Sequence, residues 1–305
     1  MYILPDQVLR WVIQSVHPEA KVQSVRRLQG GISSLVTGIK LQVDMECVEV
    51  ILRIFEHEEW LKEEPDIVAH EAGALRAASG IKQLSTPEFI ACDEDGSKCG
   101  KPAVLMTKLE GQVVLTPSDM DVWLDGMAQA LAQIHQVQDQ SFPWKYRHYQ
   151  NHSAFGIPAW SSYPEQWGRV IDIVRGPRPE VKPCFIHRDY HPTNILWKDD
   201  QVSGVVDWVN ACIGPAGVDI GHCRWNLAML YGNSVADAFL TAYERYAGKV
   251  FQYDPYWDLI SLVDVQYGPP TVYEGWTALG YEGLSDQLMR ERTDQYMLSL
   301  MERAT

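Results

Sequence analysis

Ile186-His187-Arg188-Asp189-Tyr190-His191-Pro192-Thr193-Asn194-Ile195-Leu196 is followed, after a short polar stretch, by Gly204-Val205-Val206-Asp207-Trp208. The two segments set out an aspartate, an asparagine five positions later and a second aspartate at the end of an apolar run. Kinase-type phosphoryl transfer asks for those three side chains. One carboxylate orients an acceptor hydroxyl and takes its proton; an amide oxygen and a second carboxylate hold magnesium against nucleotide phosphates. H-x-D-x-x-x-x-N alone fixes only three positions and would also suit a solvated loop. Its setting sharpens it. Ile195 to Trp197 and Val202 to Val206 read as strands around the polar turn Lys198-Asp199-Asp200-Gln201, a hairpin pattern. Such a hairpin carries Asn194 at one end and Asp207 at the other.

These residues resemble the catalytic segment of the aminoglycoside phosphotransferase family, small-molecule kinases with the two-lobed protein-kinase-like fold. The resemblance implies an α+β architecture: a nucleotide-binding lobe over residues 1–108, built on a five-stranded antiparallel sheet with a helix, and a mainly helical catalytic and substrate-binding lobe over 109–305. It further implies ATP and Mg2+ as cofactors, Asp189 as catalytic base, and Asn194 and Asp207 as magnesium ligands. The expected activity is transfer of the γ-phosphate to a hydroxyl of a small cationic molecule such as an aminoglycoside, with antibiotic resistance as a corollary. Kinases of choline, macrolides or homoserine, and a non-catalytic nucleotide-binding module, stay open. The complete Asp189, Asn194 and Asp207 set speaks against the module.

The bulk numbers agree with a folded enzyme. A chain of 305 residues, 46% hydrophobic and 22% charged, has the length for a buried core and the composition of a globular protein. The N-terminal apolar stretch is interrupted by Asp6, Arg10 and Gln14, which reads as an amphipathic helix rather than a leader. No run is long enough for a membrane span. Six cysteines at irregular spacings suit reduced thiols in a cytoplasmic setting; Cys92 and Cys99 could also face each other across a turn. A net charge of −14 repels polyphosphate backbones, so no nucleic-acid partner is expected, and it favours a cationic acceptor. The sequence carries no signal for oligomeric state.

Outward toward the N-terminus, Val22 to Leu28, Ile32 to Val43 and Val48 to Phe55 are rich in β-branched residues and predict a three-stranded meander. Gly30-Gly31, with Ser33 and Ser34, lies between the first two. There a Cβ-free backbone can approach phosphate, although the same pair also suits an ordinary hairpin turn. In the third strand Arg53 stands alone among apolar neighbours. The resemblance makes it the phosphate anchor in place of lysine, a role a guanidinium can fill; the alternative is an arginine reaching to solvent. Glu63 to Ser79 has helical spacing and contains Glu71, the expected brace for Arg53. Glu88 to Asp93 and Ala103 to Leu109 complete the sheet. The family's hinge would place Met106 against adenine and use the Thr107 carbonyl and Leu109 amide at its edge.

Toward the C-terminus, the stripe Met120, Trp123, Leu124, Met127, Leu131 and Ile134 predicts a helix capped by Ser118 and running to about Gln138. His135 and His187 are expected as packed histidines, and His191 as a turn residue. Asp219 resembles the family's buried aspartate that braces the catalytic loop and caps a helix. The short interval from Asp207 to Asp219 leaves no room for a peptide platform, which favours a small acceptor. Beyond Lys249, Asp254, Asp258, Asp264, Glu274, Glu282 and Asp286 interleave with Tyr253, Tyr256, Trp257, Tyr267, Tyr273 and Trp276. That mixture suits an amine-bearing ligand or, equally, an aromatic core with an acidic face.

Overall fold

Segments rich in β-branched and apolar residues in the first third of the chain form the strands of one sheet. The computed structural model describes residues 3–28, 34–137, 141–149, 155–249, 251–264 and 268–303. They fall into two compact units: 1–81, 85–110 and 208–210 form the first, and 82–84, 111–207 and 211–305 the second.

The first unit opens with α1 (Asp6–Val16), whose Val8, Trp11 and Val12 are buried on one face. Strands β1 (Lys21–Arg27), β2 (Leu35–Val43) and β3 (Glu46–Ile54) follow as an antiparallel meander. Then come α2 (Glu58–Glu63), α3 (Ile67–Ala78), β4 (Phe89–Asp93) and β5 (Ala103–Thr107). The five strands lie in the order β1-β2-β3-β5-β4, with every neighbouring pair antiparallel. Ile39 and Leu41 of β2 and Val50 and Leu52 of β3 pack with the buried face of α1. Arg53 is one position out of phase with Leu52, so it leaves the other face of the sheet.

A helix was expected over Glu63 to Ser79; α3 covers that span only from Ile67, and α2, ahead of it, was not expected. Pro65 disfavours helical geometry in the residue before it, and Glu64 takes φ −128°, ψ 75°. The chain therefore breaks there and restarts at Ile67. Cys92 and Cys99 are both free thiols, as are Cys47, Cys184, Cys212 and Cys223. The buried Asp93 carboxylate instead organises that turn, accepting from the amides of Lys98 (2.9 Å) and Cys99 (2.6 Å).

The second unit begins with α4 (Met120–His135) and α5 (Pro164–Arg175). The cap of α4 is Asp119, not Ser118: its carboxylate accepts from the amides of Asp121 (3.0 Å) and Val122 (3.1 Å). Short strands follow as β6 (Cys184–Ile186), β7 (Ile195–Lys198), β8 (Gln201–Val205) and β9 (Cys212–Gly214). β6 pairs with β9, and β7 with β8. The remainder is helical: α6 (Ala216–Tyr231), α7 (Asn233–Ala247), α8 (Tyr256–Asp264), α9 (Glu274–Ala278) and α10 (Asp286–Arg303). α6 is buried along nearly all its length, as a helix packed on several sides must be. It approaches α8 through glycines. A Cβ at Gly217 would lie 2.3 Å from the Trp257 ring, and one at Gly221 would lie 2.4 Å from the Trp257 carbonyl oxygen. Among the described residues, no helix is long and apolar enough to cross a membrane.

Candidate active site

The loop between β6 and β7 carries the Asp189 segment, and its shape is set from beneath by Asp219. That carboxylate is fully buried and accepts from the backbone amides of His187 (2.8 Å) and Arg188 (2.6 Å). His135 Nε2 lies 3.1 Å from the same carboxylate, and His135 Nδ1 meets the Tyr243 hydroxyl at 2.7 Å. Burial pushes the Asp219 pKa up, but the hydrogen bond and charge of His135 and the interactions with His187 outweigh it, and the net shift is downward. The cap expected of Asp219 is not made: α6 starts at Ala216 after Pro215, and Asp219 lies within its first turn. The aspartate braces the loop instead.

His187 is buried and satisfied at both nitrogens. Its Nε2 donates to the Val206 carbonyl (2.9 Å), and its Nδ1 accepts from the Asp189 amide (3.3 Å). That pairing selects the neutral Nε2–H tautomer. Arg188 sits at φ +72°, a left-handed conformation unusual for a side chain of this size. Its guanidinium turns away from Asp189. It lies over the rings of Tyr146 (4.4 Å) and Tyr149 (3.8 Å) and donates to the Arg147 carbonyl (2.5 Å).

Asp189 and Asn194 are brought together. The Asn194 amide donates to the Asp189 backbone carbonyl (2.8 Å) and approaches its Oδ2 (3.3 Å). With its nitrogen so engaged, the amide oxygen faces away from Asp189. The β7–β8 hairpin continues the link: the Val206 amide donates to the Asn194 carbonyl (2.9 Å), and Asp207 follows at φ +67°. An amide oxygen and a carboxylate so placed are hard oxygen donors of the type magnesium takes. The residues present fit that ion.

His222, which sequence reasoning did not single out, and His191, which it weighed near the phosphates but read as a turn residue, stand on the other side of Asp189. His222 Nε2, on α6, lies 3.1 Å from Asp189 Oδ1; His191 Nε2 lies 3.7 Å from the same oxygen. The His191 and His222 rings are 5.7 Å apart and nearly perpendicular, and the Tyr273 ring is 6.1 Å from His191. Asp219 and His222 are three apart and share a face of α6, so one helix both braces the loop and reaches its aspartate. Burial pushes the Asp189 pKa up, but the charge of His191 and the hydrogen bond from His222 hold the carboxyl well below its usual range. Burial drives His191 down to about 4, against the pull of Asp189.

In the first unit, Arg53 and Glu71 form an ion pair at 3.2 Å with both side chains buried. The guanidinium therefore does not reach along a strand edge to solvent. Met106 and Thr107 lie in β5; the Thr107 amide donates to the Glu88 carbonyl (2.9 Å) and its hydroxyl accepts from the Glu88 amide (2.8 Å). Leu109 follows the strand, and Ser34 immediately precedes β2. Gly30, Gly31 and Ser33 lie outside the described residues.

The acidic, aromatic C-terminal region divides: Tyr256, Trp257 and Trp276 are core, Asp254, Glu274, Glu282 and Asp286 are exposed, and Asp258 and Asp264 are buried. Asp258 is fully buried and is paired with Arg224 and with the Tyr296 hydroxyl (2.7 Å for the latter). Asp264 is buried beside His148 (3.6 Å) and Arg188 (3.9 Å). These two carboxylates serve the scaffold. Tyr267 lies outside the described residues.

The phosphotransferase enzyme family model matches residues 24–271, and the chain belongs to that family. Homoserine kinase of Beijerinckia indica is 28% identical over 172 residues, covering 49% of this chain and 50% of the relative. The chain spans about half the length of the curated relatives it matches. Among solved structures, macrolide 2'-phosphotransferase from Brachybacterium faecium superimposes with a TM-score of 0.61 at 17% identity, covering 95% of this chain and 97% of that one. An amicoumacin kinase bound to AMP-PNP and Ca2+ gives 0.60 at 14% identity, covering 97% and 94%. At such identities the likeness establishes the fold, the two-lobed kinase-like α+β architecture.

Proposed function

We propose that the chain is an ATP-dependent O-phosphotransferase acting on a small, amine-bearing alcohol. The observation that carries this is the geometry around Asp189. Its carboxylate is oriented by Asn194 on one side and His222 on the other, in a loop held by Asp219. Asp189 takes the proton of the acceptor hydroxyl as that oxygen bonds to the γ-phosphorus and the bond from γ-phosphorus to the bridging β-phosphate oxygen breaks, releasing ADP. Depression of the Asp189 pKa keeps it ionised and able to accept. Asn194 and Asp207 would hold magnesium, which neutralises developing charge on the phosphates. Arg53, fixed by Glu71, is the anchor offered to the nucleotide phosphates. Gly30, Gly31, Ser33 and Ser34 are proposed for the phosphate loop, and Met106, Thr107 and Leu109 for the adenine edge.

A hydroxy amino acid of the homoserine type is the first acceptor to test, because the curated relatives are homoserine kinases. Aminoglycosides come second, supported by structural neighbours solved with streptomycin and with gentamicin. Antibiotic inactivation is a corollary of that second acceptor alone. The test is magnesium-dependent ATP consumption over a panel of hydroxy amino acids, amino sugars, macrolides and choline analogues. The Asp189→Asn variant should lose about a hundred- to ten-thousand-fold in turnover while still binding ATP. Unchanged turnover in that variant removes Asp189 from the mechanism, and nucleotide binding without transfer to any acceptor favours a non-catalytic module.

A further inference from the structure

Three metal-ligating side chains in the second unit, the proposed base Asp189 among them, converge on one point. The ligand atoms of Asp189, His191 and His222 all lie within 4.8 Å of one another. Separations of 3.1 and 3.7 Å run from Asp189 Oδ1 to Nε2 of His222 and of His191. Around a tetrahedral ion with bonds of about 2.0–2.1 Å, neighbouring ligand atoms stand roughly 3.3–3.4 Å apart. The two measured spacings straddle that value. The frame is also stiff: His222 is on α6, the helix that anchors the loop through Asp219, and His191 borders the 3-10 turn Pro192–Asn194.

We propose that Asp189, His191 and His222 form a binding site for a first-row transition dication of the Zn2+ type. Two imidazoles and one carboxylate make up a facial triad that leaves a further position open to water. The donor set discriminates against magnesium, which dehydrates reluctantly and takes oxygen ligands. Magnesium therefore keeps to Asn194 and Asp207, and the softer ion to the histidines. Metal entry replaces the His222–Asp189 hydrogen bond by two coordinate bonds. The ring presents its Nε2 lone pair and carries its proton on Nδ1. The consequence for activity rests on the proposed function. An ion on Asp189 Oδ1 ties up the carboxylate that would take the acceptor proton, so a bound transition metal switches phosphotransfer off.

The experiment reads binding first, independently of any acceptor. Co2+ is titrated into the nucleotide-free protein without magnesium while its visible d–d absorption is followed; Zn2+ then competes it away. One equivalent should bind with the intense bands of low coordination number. His222→Ala and His191→Ala should each weaken binding by at least about a hundredfold, since loss of even an outer-shell partner costs ten- to a hundredfold. Asp189→Asn supplies a third variant should either histidine replacement fail to fold, as judged by circular dichroism. Binding unchanged in all folded variants, or no one-equivalent phase, overturns the site. With an acceptor in hand, Zn2+ should suppress turnover in the presence of excess Mg2+. Metal binding without measurable phosphotransfer keeps the site and counts against the phosphotransferase reading instead.

Discussion

The carboxylate of Asp219 accepts the backbone amide of Arg188 at 2.6 Å, and Arg188 is held at φ +72°. A non-glycine residue in that region stores strain that the surroundings must hold in place. Asp219 does so by taking two consecutive amides, those of His187 and Arg188. The direction in which Asp189 leaves the loop depends on that grip.

Asp219→Ala should therefore act on both stability and turnover. Two buried amides lose their acceptor, at a cost of roughly 1–3 kcal/mol each, and His135 loses its carboxylate partner. Urea unfolding should show the stability loss. Turnover should fall while ATP affinity changes little, because no nucleotide contact is proposed for this residue. An unchanged midpoint would show that the loop holds its shape without the brace.

The same aspartate confers a pH dependence with a definite sign. Its folded-state pKa is depressed by His135 and His187 despite its burial. The unfolded chain thus binds more protons than the native one at acid pH, and stability rises with pH there. Asp219's contribution is complete above the ordinary carboxylate range and is lost as pH falls from about 4 through the depressed native value. Urea midpoints measured down that range should decline in the wild type and decline less in Asp219→Asn. Parallel curves would assign the acid sensitivity to other carboxylates.

Removal of Arg53 separates structure from nucleotide contact. Arg53→Met removes the guanidinium paired with the buried Glu71 carboxylate, and breaking such a buried pair costs on the order of 3–5 kcal/mol. The double variant Arg53→Met/Glu71→Leu removes both charges and should recover much of that stability. ATP affinity should stay weak in both variants. Recovery of affinity together with stability would reduce the pair to a scaffold element.

Much of the architecture was legible because it is written in local patterns. β-branched richness marked the first three strands, and the apolar stripe from Met120 to Ile134 marked α4. The polar turn between Trp197 and Val202 marked the β7–β8 hairpin. Boundaries were less legible where a single residue decides: beyond Pro65 the expected helix starts only at Ile67, and Asp119 took the cap expected at Ser118. The loop motif pointed to Asp189 and Asn194, which the structure does bring together. His222 carried no such signal. It meets Asp189 only because α6 packs beneath the loop, a long-range contact that neither spacing nor periodicity encodes. Likewise Asp254, Glu274, Glu282 and Asp286 stay on an exposed face, whereas packing withdraws Asp264 and pairs the buried Asp258 with Arg224.

That last pairing yields its own prediction. Arg224, on α6, reaches Asp258 on α8 and Asp237 on α7 (2.7 Å), while Arg303 of α10 grips Asp237 from the far side (2.5 Å). Three helices are tied through one guanidinium that is almost wholly buried, and Arg303 adds the fourth through Asp237. Arg224→Met keeps apolar volume but leaves Asp258 without its cation, at a cost of about 3–5 kcal/mol. Burial already raises the Asp258 pKa, and Arg224 is the largest influence opposing it. Without that cation the native pKa rises further above the unfolded one, so the variant's native state binds the extra proton. Its deficit relative to wild type should shrink as pH falls toward the ordinary carboxylate range. Adding Asp258→Asn should remove the pH dependence of that deficit. A deficit that is constant with pH would place the cost in lost packing rather than in the stranded carboxylate.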